Sequence, residues 1–340
     1  MQPINFGLIG AGVFGEVHAK VYADHPGAKL AVICDLNVKR AKQVAKECGG
    51  VKTCTDYREV LADPSITAVS VATPDFAHTP LVVAAAKAGK HVLVEKPLAT
   101  TVADCETMIK ATHKAGVKFM VDFHNRWNPP FVIAKESIRK GEIGLPRHIY
   151  YRLSDTQYVP FKMLSWANKS TVAWFLASHC IDTLHWILED TVKRVYCVRR
   201  REVLKKAGVN TPDFYLATLE FSRGTCAVIE NSWLLPQTYP TIFDLKAQIV
   251  GDKGALFFDT SHHRMAEKYT AKSATYPDVV AKPEIHGHQT GFAAESIRHF
   301  AECVIHNRKP MVTGEDGLAV TRVICAMDES ADKGLPVELG

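Results

Sequence analysis

Three groups of residues in this chain have the types and spacing to do chemistry. Gly10-Ala11-Gly12-Val13-Phe14-Gly15 follows an apolar run, Ile4 to Ile9, and opens an amphipathic segment, Phe14 to Asp24. Strand, glycine turn and helix in that order is the context in which G-x-G-x-x-G cradles a dinucleotide. The first glycine permits the tight turn, the second lets the backbone approach a pyrophosphate, and the third lets helix and strand pack closely. The pyrophosphate would lie on the free N–H groups at the helix N-terminus. A second apolar run, Leu30 to Cys34, ends in Asp35, 20 residues after Gly15. A carboxylate at about that offset binds the ribose hydroxyls of NAD. It would repel the 2′-phosphate of NADP, so NAD is favoured and NADP is left open. Lys39 and Arg40 follow closely. They either soften that preference or are solvated charges on the next helix.

The second group is Glu95-Lys96-Pro97, a short polar step after the apolar run His91 to Val94. A lysine there can hold a substrate hydroxyl and, partly desolvated, can act as acid or base. The alternative is a surface lysine in a turn. The third is the segment Trp174 to Ile187, in which His179, Asp182 and Trp186 fall at i, i+3 and i+7, on one helix face. A histidine with a carboxylate one turn away is a candidate base, although a lone helical histidine is more often structural. For His185 a surface or packing role is the expectation.

These residues need elements to hold them. After the glycine unit the expected order is helix Val38–Cys48, a short helix Asp56–Ala62, strand Ala68–Ala72, helix Thr79–Ala88, strand His91–Glu95, helix Thr101–Ala115 and strand Lys118–Asp122. Strands alternating with helices imply a parallel sheet covered on both faces. Ligands bind beyond the carboxyl ends of such strands. Thr73-Pro74 with His78, Glu95-Lys96-Pro97 and Phe123 to Asn128 occupy those ends. Next come a helix, Pro130–Lys140, and β-type runs Arg147–Leu153, Lys193–Arg200, Phe214–Phe221, Thr225–Leu234, Ile242–Val250 and Ala255–Phe258. One helix, Trp174–Ile187, interrupts them, and Gly291–Asn307 and Gly314–Ala331 end the chain. The fold class read from this is α/β: an N-terminal Rossmann domain with a parallel sheet, residues 1–123, then an α+β domain with a large, mostly antiparallel sheet, residues 124–340.

Bulk properties exclude other classes. The chain has 340 residues, 47% apolar and 23% charged, with a net charge of +5. The basic residues are scattered, with no aromatic-interleaved stripe for nucleic acid. No apolar run is long enough to span a membrane. A strand starting near residue 4 leaves no room for a signal peptide, so a cytoplasmic location is expected. Nine cysteines without a C-x-x-C pair read as reduced thiols. His262-His263 and His286-Gly287-His288 lack partners at metal spacing, so no metal site is expected.

The five stretches Gly10–Gly15, Ala72-Thr73-Pro74 with His78, Glu95-Lys96-Pro97, the His179 helix and Gly314-Glu315-Asp316-Gly317-Leu318 together resemble the Gfo/Idh/MocA oxidoreductase family. In this order they span nearly the whole chain. The resemblance implies NAD(P)-linked oxidation of a secondary alcohol on a sugar, polyol or related small molecule. It implies Lys96 and His179 as the catalytic pair and a cis bond before Pro97. It also implies a homodimer or homotetramer formed through the open sheet of the second domain. One position departs from the pattern: Phe175 stands where inositol and sugar dehydrogenases of the family carry an aspartate, four residues before the histidine.

In the expected mechanism His179 removes the hydroxyl proton as hydride passes to NAD, and Lys96 stabilises the developing alkoxide. The expected cofactor contacts are Gly10, Gly12, Val13, Phe14, Gly15, Asp35, Arg40, Thr73, Pro74, His78, Glu95, Lys96 and Asn125. The expected substrate contacts are Asn125, Arg126, Trp166, Phe175, Asp182 and Tyr239. Arg126 has an ion-pair role as its alternative. Phe175 favours one other function, a catalytically weak NAD-binding regulator, and an oxidoreductase whose tightly held cofactor is recycled in place is a separate alternative.

Overall fold

Short apolar runs separated by amphipathic ones form β1 (Ile4–Ile9), α1 (Val13–Asp24), β2 (Ala28–Cys34), α2 (Val38–Glu47), β3 (Lys52–Cys54), α3 (Tyr57–Ala62), β4 (Ile66–Val71), α4 (His78–Lys87), β5 (His91–Val94), α5 (Val102–Ala115) and β6 (Phe119–Val121) in the computed structural model. It describes residues 3–261 and 265–340, so His262-His263 lies outside the described residues. Next are α6 (Pro129–Arg139), β7 (Pro146–Asp155), α7 (Ser178–Leu188), β8 (Val192–Arg200), α8 (Val203–Lys206), β9 (Phe214–Phe221), β10 (Cys226–Ser232), β11 (Phe243–Gly251) and β12 (Ala255–Asp259). Two small hairpins follow, β13 (Lys268–Tyr269) with β14 (Ala274–Thr275) and β15 (Glu284–Ile285) with β16 (His288–Gln289). The chain ends in α9 (Phe292–Ile305), α10 (Gly314–Lys333) and β17 (Val337–Glu338). No helix among the described residues is long and apolar enough to cross a membrane.

The chain forms two compact units, Met1–Trp127 with Val280–Ala319, and Asn128–Val279 with Val320–Gly340. In the first, six parallel strands lie in the order β3-β2-β1-β4-β5-β6. The order reverses between β1 and β4, which opens the ligand crevice at their carboxyl ends. Val92, Leu93 and Val94 of β5 are wholly buried. Each such side chain contributes about 1.5–3 kcal/mol. Local signals set the helix ends. Thr101 caps α5 by accepting from the Asp104 N–H, and Gly116, at φ 65°, ends it in the left-handed conformation that glycine adopts without strain.

Residues 280–319 pack with the first unit although they follow the second unit's strands. Phe300 of α9 meets Phe6 of β1 edge-on at 6.4 Å. Gly314 and Gly317 let the first turn of α10 lie close. A Cβ on Gly317 would come within 2.7 Å of Leu98 Cβ, and one on Gly314 within 2.7 Å of Ile109. The short strand β3, absent from the sequence reading, edges the sheet beside β2.

The second unit holds a seven-stranded sheet in the order β12-β11-β7-β10-β9-β8-β17. Only β7 and β10 pair in parallel; the other pairs are antiparallel. Ile149, Tyr151, Leu219, Ile229 and Ile249 point to the covered face and are buried. The opposite face carries a cross-strand row, Phe257, Gln248, Tyr150, Val228, Thr218 and Tyr196. The expected helix 174–187 is not one α-helix. Ala173–Ala177 forms a π-helical turn, with the Ser178 N–H bonded to Ala173 O, and α7 begins only at Ser178.

Candidate active site

The three motif glycines have different tasks. Gly10 turns the chain at φ 99°, and a Cβ there would lie 2.4 Å from Ala72 O. A Cβ on Gly15 would lie 2.0 Å from Gly10 O, so this glycine lets α1 start against the turn. A Cβ on Gly12 would meet nothing within 4 Å. Gly12 therefore keeps an open space in front of the α1 N-terminus, which has no side-chain cap. That open space, bounded by free N–H groups, fits a pyrophosphate. At the end of β2, Asp35 Oδ2 accepts from the Ala11 N–H at 2.6 Å and Oδ1 from the Asn37 N–H at 2.7 Å. Arg40 is tied to the same loop: Nε donates to Ala11 O at 2.7 Å and a terminal nitrogen pairs with Glu16. Val13 is exposed beside the cradle. The Phe14 ring stacks on His124 at 5.4 Å, and the Lys282 ammonium sits 5.4 Å from its centroid.

Lys96 follows β5 on the same rim and is 8% exposed, with a cis bond to Pro97. The loop after β4 is joined to this turn by His78, buried at the start of α4. His78 Nε2 lies 2.9 Å from Thr73 O, and Nδ1 lies 3.0 Å from Pro97 O and 3.2 Å from Leu98 O. His78 thus clamps Thr73-Pro74 to the Lys96 turn. Glu95 points inward. Its Oε1 lies 3.0 Å from His18 Nε2, and its Oε2 accepts from the Lys96 N–H at 3.2 Å.

His18, Glu95 and Asp122 form a buried cluster whose ligand-type atoms lie within 4.8 Å of one another. Nδ1 of His18 lies 2.9 Å from Ser70 Oγ, which in turn is 2.7 Å from the Tyr22 hydroxyl. Burial alone would lower the His18 pKa. Hydrogen bonds and charge attraction from Asp122 and Glu95 outweigh it and raise the value to about 9. Burial likewise works against the Asp122 carboxylate, but His18 holds it below the ordinary range. The distances suit a shared proton. The sequence reading missed His18 because its partners are 52 and 77 residues away.

The residues after β6 divide their roles. Asn125 is buried at the strand end. Burial pushes the His124 pKa down. Arg126 points to α10, with an ion pair to Asp316 at 3.1 Å and a donation to Met311 O at 3.4 Å. This is the ion-pair alternative for Arg126, and it gives Asp316 of the C-terminal motif its partner.

In the second unit His179 and Asp182 lie in the first two turns of α7, 7% and 1% exposed. Thr183 Oγ1 donates to His179 O at 2.7 Å. Phe175, in the π-helical turn, lies between two indoles, 6.4 Å from Trp166 and 5.9 Å from Trp233. Trp233 Nε1 donates to Asp155 at 3.2 Å. His185 packs edge-on to Phe221 at 6.0 Å. The Tyr239 hydroxyl is bonded to Asp244. Burial, then the Asp244 charge, pushes its pKa up to about 12.

Comparison with known proteins decides what this assembly is. Residues 4–123 match a family model described as oxidoreductase family, NAD-binding Rossmann fold, and residues 135–339 match its C-terminal alpha/beta domain. The chain belongs to the Gfo/Idh/MocA oxidoreductase family. Among relatives of this family member, a scyllo-inositol 2-dehydrogenase (NAD(+)) of Bacillus subtilis is 30% identical over 98% of this chain and 95% of its own. A myo-inositol 2-dehydrogenase of Thermotoga maritima is 27% identical over 99% and 98%. The crystal structure of a probable dehydrogenase from Thermotoga maritima superposes with a TM-score of 0.83 at 25% identity, covering 98% of each chain. The protein is thus a Gfo/Idh/MocA oxidoreductase with an NAD-binding Rossmann domain, and the Gly10–Gly15 cradle with Asp35 fits that cofactor.

Proposed function

We propose that this protein oxidises a secondary hydroxyl of a small polyol or sugar, with Lys96 and His179 as its catalytic pair. The observation that carries this is the buried Lys96, fixed on the same sheet rim as the open Gly12 cradle. The relatives named as inositol 2-dehydrogenases support a ring polyol as substrate. When bound, NAD supplies the hydride acceptor. Lys96 hydrogen-bonds the reacting oxygen and stabilises the alkoxide as it develops. Such a group typically contributes ~3 kcal/mol, about a hundredfold in rate. His179 takes the hydroxyl proton. Asn125 and Asp182 orient neighbouring hydroxyls, and the Trp166–Phe175–Trp233 group faces the ring's apolar C–H side. Asp35 binds the adenosine ribose, and Arg40, held by Glu16, is not available for a 2′-phosphate, which supports NAD over NADP.

The open sheet face supports a homodimer or homotetramer. Tyr196, Leu216, Val228 and Phe257 are exposed on it, and contiguous exposed apolar surface marks a contact. Light scattering tests it, with a monomer as the refuting mass. Nine free cysteines suit a reducing compartment such as the cytoplasm. The test of function is the purified protein with NAD, screened against inositols, sugars, glycosides and aldonates for NADH absorbance. Turnover of at least one ring polyol or sugar is expected. NAD binding without turnover on any of them would refute the proposal in favour of a regulator.

A further inference from the structure

Lys96 has a flexible stem of four carbons, so where its ammonium reaches depends on how its backbone is held. Pro97 and His78 hold it from one side. From the other side Glu95 accepts from the Lys96 N–H at 3.2 Å. The second oxygen of Glu95 is 3.0 Å from His18 Nε2, and His18 also lies 3.5 Å from Asp122 Oδ2. Groups from five places converge here. His18 and Tyr22 come from α1 and Ser70 from β4; Glu95 and Asp122 follow β5 and β6. Ser296 of α9 donates to Asp122 Oδ1 at 2.5 Å. His124, which feels the charges of Asp122, Glu95, Lys96 and His18, is a further titratable neighbour. His18, Tyr22, Ser70, Glu95 and Asp122 are all under 7% exposed. A carboxylate buried to this degree needs a partner to keep its orientation, and His18 is the donor that reaches Oε1 of Glu95.

We propose that His18 is a positioning residue for Lys96, acting through Glu95: the imidazolium fixes the carboxylate, and the carboxylate fixes the Lys96 backbone. This rests on the role given to Lys96 above. Both ring N–H groups of His18 are used, one toward Glu95 and Asp122 and the other toward Ser70. When His18 loses its proton at alkaline pH, Glu95 and Asp122 lose the charge between them, and the Lys96 turn loosens. A misplacement of ~1 Å at a reacting group costs on the order of a hundredfold in rate.

The test uses the full-length protein with His18→Gln, which keeps one donor, His18→Leu, which keeps none, and Glu95→Gln. Three measurements are made: steady-state kinetics across pH, NAD affinity, and hydrogen exchange of the peptide spanning residues 93–98. For His18→Leu, kcat falls about 10- to 100-fold, with KM and NAD affinity within about threefold of wild type, and amide exchange in that peptide speeds up. His18→Gln recovers part of both, and the alkaline limb of the wild-type kcat profile disappears from it. Wild-type kcat and wild-type protection in His18→Leu would overturn the proposal. So would losses that His18→Gln shares in full together with NAD affinity, because a merely structural role predicts those. If His18→Leu does not fold, Glu95→Gln decides: faster exchange over residues 93–98 with NAD affinity retained supports the proposal, and unchanged exchange overturns it. If the wild type oxidises no polyol or sugar, the proposed function fails, and the exchange measurements still decide the role of His18.

Discussion

Gly12 and Gly15 stand three residues apart in one motif, yet replacing each with alanine should do opposite things. The Gly12 backbone, at φ −66°, is one that alanine adopts freely, and its Cβ would meet nothing within 4 Å. Gly12→Ala should therefore leave stability unchanged or raise it by up to about 0.5 kcal/mol, through a less disordered unfolded chain. The new methyl fills the space that a pyrophosphate needs. NAD affinity should fall about 10- to 100-fold, or about 1.4–2.8 kcal/mol. Gly15→Ala places a Cβ 2.0 Å from Gly10 O, a full 1.0 Å inside the 3.0 Å limit of real contacts. The obstacle is backbone, which cannot rotate away. Helix propensity returns about 1 kcal/mol against overpacking of about 1–3 kcal/mol or more. A net loss near 1–2 kcal/mol is expected, a drop in Tm of roughly 2–8 °C. Thermal unfolding without cofactor and fluorescence titration with NAD separate the two effects. Wild-type NAD affinity in Gly12→Ala, or an unchanged Tm in Gly15→Ala, would refute the division of tasks.

Four further outcomes are expected. The His18 pKa in the folded state is about 9, against 6.5 for the free side chain. Its stabilisation, about 3 kcal/mol, is therefore complete below pH 6.5 and is lost as pH rises through 9. Urea unfolding from pH 6 to 10 should show that decline, and His18→Leu should flatten it. Lys96→Ala should cut kcat at least a hundredfold while NAD affinity, read by titration, stays within about threefold. Phe175→Ala removes a half-buried ring between Trp166 and Trp233. By chemical denaturation it should cost about 2 kcal/mol, below the ~3–5 kcal/mol of a fully buried Phe. Gly317→Ala forces a Cβ to 2.7 Å from Leu98 Cβ and should lower Tm with NAD affinity retained, as calorimetry and titration would show.

Much of the first unit was legible because its signals are local. A turn at positive φ needs glycine, so Gly10 is visible in the sequence. Largely buried parallel strands read as apolar runs, so β1, β4 and β5 are visible too. What escaped is what depends on distant partners or leaves no mark in composition. His18 looks like any histidine on a helix until Ser70 of β4 and Glu95 and Asp122, just beyond β5 and β6, arrive beside it. The π-helical turn before His179 has the same residue types as an α-helical one. The parallel pairing of β7 with β10 depends on strand order, which alternation does not encode, and β3 is too short to show a period. Arg126 was legible only as a choice between substrate and ion pair, because Asp316 lies 190 residues further along the chain.

The clamp made by His78 has a bearing on how this protein can change. Thr73 and Pro97 belong to loops more than twenty positions apart in sequence, yet the His78 ring packs against a carbonyl oxygen of each, within 3.0 Å. Substitutions in the two loops should not add. A change at Thr73 or Pro74 shifts the ring, and the ring shifts the turn that carries Lys96. Double-mutant cycles between the loops should show coupling of about 0.5–3 kcal/mol, as for residues sharing one network. Removing His78 should abolish that coupling. Variation of the rim is thus constrained in pairs, and libraries that randomise one loop with the other fixed would sample mainly sequences that this shared ring rejects.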